Sequence, residues 1–159
     1  MALRLLDAAP SEKAFPKLAE ALGISASEAH AAVRRAALSG LVDGDGRHVR
    51  KAALCEFLVH GLRYAFPAER SGVTRGVPTS YAAPPLKAHF GDDELPPVWP
   101  HAEGTARGEG LAPLYKSAPN AALRDARLYG WLALVDAVRA GRARERKLAT
   151  EEIERRLSQ

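Results

Sequence analysis

The chain has 159 residues, 47% of them hydrophobic, which is enough for a packed domain and argues against global disorder. The single cysteine, Cys55, excludes an internal disulfide, and no apolar run approaches the about 18 residues that cross a bilayer. A reducing cytoplasm is therefore the expected location. The net charge of +4 resides in the two ends: residues 1–66 carry +2, residues 67–119 carry −1 and residues 120–159 carry +3.

The first elements in the chain are two predicted helices. A short opening helix is stopped by Pro10. The second helix is expected to begin near Phe15, because Pro16 fits a helix only in its first turn. Gly23 then ends this helix in a tight turn, since glycine readily takes the left-handed conformation that follows a helix.

A third helix is predicted to begin at a capping box. Ser25 and Glu28 have the spacing at which the serine oxygen and the carboxylate each accept from the other residue's backbone N–H. The helix is expected to run to about Ser39 and to stop at Gly40. Its apolar stripe, which defines the buried side, consists of Ala29, Ala32, Val33 and Ala36.

A short β-hairpin and a fourth helix follow. Leu41-Val42 and Arg47-His48-Val49 flank four turn-forming residues, Asp43-Gly44-Asp45-Gly46, which predicts two very short strands joined by a turn. Residues 50–64 then show the apolar spacing of an amphipathic helix.

The remainder of the chain divides into two parts. Residues 67–119 hold most of the prolines, yet also many large apolar residues, and are expected to be ordered but irregular. Asn120 is the predicted N-cap of a helix that Gly141 ends. A basic stretch, residues 142–147, is expected to precede a final helix.

The predicted fold class is mainly α. A winged helix-turn-helix domain with a short β-hairpin wing is expected over residues 1–66. It is followed by the irregular proline-rich segment, residues 67–119, and by a C-terminal helical region, residues 120–159.

The third helix carries a polar face that suits a DNA groove. Ser27, His30 and Arg34 lie opposite the apolar stripe, with the small Ala31 between them and Arg35 at the edge. Small residues permit close approach, and arginine can bridge guanine O6 and N7. The alternative is a three-helix core that binds no ligand.

The stretch LAEALGISASEAHAAVRRAALSGLV, residues 18–42, resembles the DNA-binding half of bacterial MarR-like winged-helix regulators. The resemblance covers roughly residues 12–62 and implies a sequence-specific transcription regulator, a repressor, bound to double-stranded DNA as a homodimer. The wing is shorter than in that family, and the family's long dimerisation helices are not obvious here. The residues expected at the DNA are Lys17, Ser25, Ser27, Glu28, His30, Ala31, Arg34, Arg35, Arg47 and His48.

Residues 57–86 and 128–149 together resemble small bacterial helix-turn-helix antitoxins of the AbiE type. Antitoxins of this kind neutralise nucleotidyltransferase-type toxins and often repress their own operon. The resemblance therefore implies a toxin partner as an alternative main function, with DNA binding secondary. The basic side chains expected to contact it are Arg142, Arg144, Arg146 and Lys147, although such a run is also typical of a solvated helix surface with internal ion pairs.

No enzyme motif is evident, and no cofactor is expected. The five histidines and Cys55 show no metal-ligand spacing, and no serine or cysteine nucleophile has a base beside it. The glycine-rich stretch GTARGEG, residues 104–110, lacks the strand and helix that a phosphate loop needs. The acidic trio Asp92-Asp93-Glu94 reads as a solvated turn rather than a metal site.

Overall fold

The computed structural model describes residues 1–91 and 93–159, and it is mainly α with a small three-stranded sheet. The helices are α1 (Ala2–Leu6), α2 (Phe15–Leu22), α3 (Ala26–Leu38), α4 (Lys51–Glu56), α5 (Leu62–Ala65), α6 (Ala118–Arg124), α7 (Ala126–Ala140) and α8 (Ala143–Leu157). The strands are β1 (Arg70–Pro78), β2 (Pro97–Pro100) and β3 (Ala106–Leu111). Short 3₁₀ turns occupy Pro10–Glu12, Ser80–Ala82 and Lys87–His89. Among these residues, no helix has the length and apolar content that crossing a bilayer requires.

The predicted boundaries of α2 and α3 are confirmed. The α2 helix begins at Phe15 with Pro16 in its first turn, and Gly23 follows it in the left-handed region at φ 63°. Ser25 caps α3: its Oγ accepts from the backbone N–H of Glu28 at 3.1 Å, and the Glu28 carboxylate accepts from the Ser25 N–H at 2.9 Å. The turn and the cap together fix the direction in which α3 leaves α2.

A small apolar cluster attaches α3 to its neighbours. Ala29 and Val33 on α3 are buried against Leu5 of α1, Leu18 of α2 and Val42 beyond the helix. Burying these side chains orients α3, so its opposite side is left to face solvent.

The predicted hairpin is reduced to one antiparallel bridge between Val42 and Val49. Two further backbone hydrogen bonds close it, from the Asp43 N–H to the His48 carbonyl at 2.8 Å and from the Arg50 N–H to the Leu41 carbonyl at 2.9 Å. The turn residues leave no room for longer strands.

The predicted helix over residues 50–64 is present but not uniform. The α4 and α5 helices are joined by a π-helical segment, Phe57–Gly61. Leu54, Leu58 and Leu62 stay on the buried side through this change of pitch.

The prediction that residues 67–119 are irregular was wrong, because they contain the sheet. The β1 strand pairs antiparallel with β2 and with β3, and β2 pairs parallel with β3, so the three strands close on one another. Prolines did not prevent this, because Pro78, Pro97 and Pro100 lie at strand ends, where a missing N–H disrupts the ladder least.

The glycine-rich stretch supports the sheet by permitting close approach of backbones. A Cβ on Gly108 would lie 1.8 Å from the Pro96 carbonyl oxygen, and one on Gly104 would lie 2.2 Å from the backbone of Gly76. These glycines therefore serve strand packing.

The C-terminal helices begin at other residues than predicted. Asn120 lies inside α6, whose N-cap is Ser117, and a second helix starts at Asp125, whose carboxylate accepts from the Arg127 and Leu128 N–H groups at 3.0 and 3.1 Å. The expected stop at Gly141 is confirmed. The basic stretch does not precede the last helix but forms its N-cap and first turn.

One large core joins the beginning and the end of the chain. Leu3 of α1 and Leu58 beside α4 are buried in the same cluster as Leu134 of α7 and Ile153 and Leu157 of α8. The α7 helix is the centre of this core, since its residues 130–138 are all buried.

A buried polar network fastens the sheet to α7. The Asp136 carboxylate accepts from the Thr79 hydroxyl at 2.8 Å and from the Trp99 indole N–H at 2.6 Å. Its other oxygen accepts from Arg139 at 2.6 Å, and Arg139 also donates to the Phe66 carbonyl at 2.8 Å. Every polar atom of Asp136 is thus paired, as a charge in a protein interior requires.

Candidate nucleic-acid interface

The outer side of α3 presents three of the residues expected to read DNA. Ser27, His30 and Arg34 are exposed, and their spacing along the helix places them on one side. In the described part of the chain, none of the three side chains makes a hydrogen bond or an ion pair with another residue. Their polar atoms are therefore available to an external ligand, such as the edge of a base pair.

The position of His30 is set by an aromatic contact. Its ring stands edge-on to that of Phe15, with the ring centroids 5.0 Å apart. Phe15 is the first residue of α2, so this contact connects the exposed side of α3 to the beginning of the preceding helix. The imidazole nitrogens remain open beside a half-exposed phenyl ring, which combines a hydrogen-bonding group with an apolar surface.

The Glu28 carboxylate is hydrogen-bonded within the chain, unlike the exposed side chains of Ser27, His30 and Arg34. One carboxylate oxygen accepts from the N–H and the Oγ of Ser25, both at 2.9 Å, and the other accepts from the Tyr115 hydroxyl at 2.9 Å. The Ser25 backbone N–H is the main cause that lowers the pKa of Glu28, with contributions from the Ser25 and Tyr115 hydroxyls. A carboxylate so engaged has little capacity left to accept from cytosine.

Ala31 and Arg35 lie toward a different surface from Arg34. Together with Glu28 they line a cavity of about 400 Å³ between α3 and the segment that leads into α6. Arg35 is exposed at the rim of this cavity. The residues expected at the DNA thus fall into an outward stripe of Ser27, His30 and Arg34 and a second group beside the cavity.

The turn that was expected to form the wing, residues 43–48, carries both signs of charge. Arg47 and His48 are exposed, and Asp45 contacts both of them: its carboxylate accepts from the Arg47 N–H at 2.9 Å and lies 3.4 Å from the His48 ring nitrogen. The Arg47 N–H is the main cause that lowers the pKa of Asp45, so this carboxylate stays charged. Two aspartates, Asp43 and Asp45, offset much of the attraction that this turn offers to phosphates.

Two lysines border the exposed stripe at the beginning of α2. The Lys13 ammonium donates to the Arg47 carbonyl at 2.8 Å and so connects the turn at residues 43–48 to the segment before α2. Lys17 is about two-thirds exposed and lies 3.5 Å from Glu20, a surface pair that holds it only weakly. Lys17 can therefore leave Glu20 for a phosphate.

The basic stretch at the start of α8 is largely engaged within the chain. The guanidinium of Arg144 lies 5.3 Å from the centroid of the Phe90 ring, Arg146 donates to the Gly141 carbonyl at 2.9 Å, and Lys147 lies 3.8 Å from Glu151. The Arg142 N–H donates to the Glu145 carboxylate at 2.6 Å. These contacts favour a structural contribution from the stretch, although its solvent-facing sides remain open.

The residues through which the C-terminal half contacts α2 and α3 were not predicted from the sequence. Besides Tyr115 on Glu28, the Ser117 hydroxyl donates to the Leu22 carbonyl at 2.6 Å, next to Gly23. Nothing in the local pattern signals these contacts, because they join residues 87 and 95 positions apart.

Within residues 1–91 and 93–159, no three side chains of His, Cys, Asp or Glu come together in a group that could hold a metal ion. Of the acidic trio, Asp92 lies outside the described residues, and Asp93 accepts from the Tyr81 hydroxyl at 2.5 Å. Comparison of the chain with models of protein families, with curated proteins and with solved structures finds no match.

Proposed function

We propose that the protein is a sequence-specific regulator of transcription, a repressor that binds double-stranded DNA through α3 in the major groove. The observation that supports this most is the unengaged polar stripe of Ser27, His30 and Arg34 on a helix that begins after a left-handed glycine and a capping box. The spacing of the three side chains along one side of α3 lets a single groove contact all of them, as a recognition helix requires.

Each exposed side chain has a distinct role in this proposal. Arg34 donates to the edge of a guanine, and Ser27 and His30 contact bases or nearby phosphates. Lys17 and Arg47 contact the phosphate backbone on either side and so set the register of the helix in the groove. One such unit covers a small footprint, so we expect it to bind as a homodimer, in the cytoplasm, where its DNA lies.

The test is binding of Arg34→Ala to the DNA upstream of the protein's own gene, measured by fluorescence anisotropy at several salt concentrations. Loss of a guanine contact should weaken specific binding by about 1–3 kcal/mol and relax the sequence preference at one position. The matched control is Arg107→Ala, since Arg107 is also exposed but lies on β3. Equal affinities of wild-type protein and Arg34→Ala for the specific site would contradict the proposal.

A second candidate function is capture of a protein partner, in the manner of an antitoxin that holds a nucleotidyltransferase-type toxin. A groove between the π-helical segment and α8 is lined by Arg63, Arg146 and Lys147, with Glu151 at the same site, and this excess of positive charge suits an acidic surface. Lys147→Glu should abolish capture of the partner encoded beside the gene in a pull-down and leave DNA binding intact. Deleting α8 would be a poor test, because Ile153 and Leu157 belong to the core.

A further inference from the structure

We propose that the cavity behind α3 binds a small organic anion with an apolar body, such as a hydrocarbon chain that ends in a single carboxylate. This site is separate from the exposed stripe on α3, and the proposal does not depend on DNA binding. Its volume of about 400 Å³ lies within the range of sites for small molecules.

The walls of the cavity are mostly apolar. The α3 helix contributes Ala32 and Ala36, and the opposite wall comes from Ala118 and Ala121 of α6 and Leu128 of α7. The small alanine side chains on both walls are what leaves this space open between two packed elements. An apolar body placed here would be removed from water on two sides, which is favourable in proportion to the area buried.

The polar groups at the rim decide the charge of the ligand. Both oxygens of Glu28 already accept hydrogen bonds, from Ser25 and from Tyr115. The guanidinium of Arg35, in contrast, makes no ion pair and no hydrogen bond with any residue in the described ranges. It has five N–H donors and lies at the edge of an apolar space, where a charge-assisted contact is stronger than in bulk water.

The position of the arginine relative to the walls gives the geometry of binding. The hydrocarbon body would lie between the alanines of α3 and α6, and the carboxylate would remain at the mouth against Arg35. Met1 also lines the cavity, and burial and the nearby Arg35 lower the pKa of its N-terminal amine. A cationic ligand is disfavoured, because the Glu28 carboxylate already accepts hydrogen bonds and the remaining ionisable groups are the basic Arg35 and Met1 amine.

The experiment is isothermal titration calorimetry of the full chain with three probes of equal length: decanoate, decanol and decylamine. We expect one site per chain, with decanoate bound about tenfold more tightly than decanol and decylamine bound most weakly. In Arg35→Gln, decanoate should fall to the level of decanol. The matched control is Arg34→Gln, the neighbouring arginine on the exposed stripe, which should bind all three probes like the wild type.

Two variants fill the cavity from opposite walls, Ala32→Leu from α3 and Ala118→Leu from α6. Each variant should weaken the binding of decanoate and of decanol by tenfold or more. Circular dichroism identifies a variant that fails to fold. If one variant fails, the other variant provides the test. Unchanged binding in a folded filled variant would overturn the site. Tighter binding of decylamine than of decanoate would contradict an anionic ligand. Probe binding that weakens as the protein concentration rises would show that a second copy of the chain covers the mouth of the cavity instead.

Discussion

Replacing Asp136 by alanine tests the buried network that fastens the sheet to α7. Asp136 is 1% exposed and the Arg139 side chain 4%, so neither charge can turn to water when the other is removed. Breaking a buried pair of this kind costs about 3–5 kcal/mol. The Thr79 hydroxyl and the Trp99 indole would also lose their acceptor, at about 1–3 kcal/mol each if they acted alone.

These costs overlap, because the cavity left by the carboxylate is the same for all three donors. We therefore expect Asp136→Ala to lose about 4–5 kcal/mol of unfolding free energy, measured by urea denaturation at pH 7. The matched control is Glu109→Ala, which breaks the exposed pair with Arg70 and should cost less than about 1 kcal/mol.

A double variant distinguishes the cost of leaving one buried charge unpaired from the cost of removing the whole ion pair. Asp136→Leu with Arg139→Met replaces both charges by apolar side chains and should recover about half of the loss, because no buried charge is left alone. The remaining deficit reflects the Thr79 hydroxyl and the Trp99 indole, which still lack an acceptor, and the Phe66 carbonyl, which has lost its Arg139 donor. A loss below about 1 kcal/mol in Asp136→Ala would refute the reasoning, since it would mean that the carboxylate contributes nothing to the packing of Trp99.

Three further predictions concern other contacts. Gly46→Ala should lower the unfolding free energy by about 1–3 kcal/mol in thermal denaturation, because Gly46 has φ 70° and its Cβ would lie 2.4 Å from Val33 Cγ1. Tyr115→Phe should raise the pKa of Glu28 in an NMR titration, since the carboxylate loses one of its donors; an unchanged pKa would contradict the contact. Hydrogen bonds, first of all from Arg155, lower the pKa of Glu152 to about 2, so its stabilising effect is complete above the unfolded value and is lost as pH falls through the folded one. The difference in unfolding free energy between wild type and Glu152→Gln should therefore be about 1 kcal/mol at pH 7 and shrink between pH 4.5 and pH 2.

The first quarter of the chain could be predicted because its signals are local. The capping box of Ser25 and Glu28 and the stop at Gly23 depend on residues within one helical turn of each other, and the structure has them as predicted. The burial of Ala29 and Val33 follows from the spacing of the same helix. The exposed stripe of the candidate site lies on the side of α3 opposite these buried residues.

The sheet could not be predicted, because its pairing is distant in sequence. Gly76 lies opposite both Pro100 and Ala106, and nothing near Gly76 in the chain indicates either partner. Three of the prolines that suggested an irregular segment, Pro78, Pro97 and Pro100, lie at strand ends, and Gly104 and Gly108 lie where backbones approach closely. For the same reason, the cavity and the Tyr115 contact with Glu28 had no sequence signal.

The shared core also has a consequence for the protein during its own synthesis. Leu54, Leu58 and Leu62 share their core cluster with Ile153 and Leu157, so the apolar side of this early helix is not fully covered until α8 has been made. The roughly 95 residues between Leu62 and Leu157 take on the order of 10 s to translate, and throughout that time the nascent chain exposes a leucine-rich face. The emerging chain is therefore expected to bind ribosome-associated chaperones, and the large core that α8 completes forms only when translation is nearly finished.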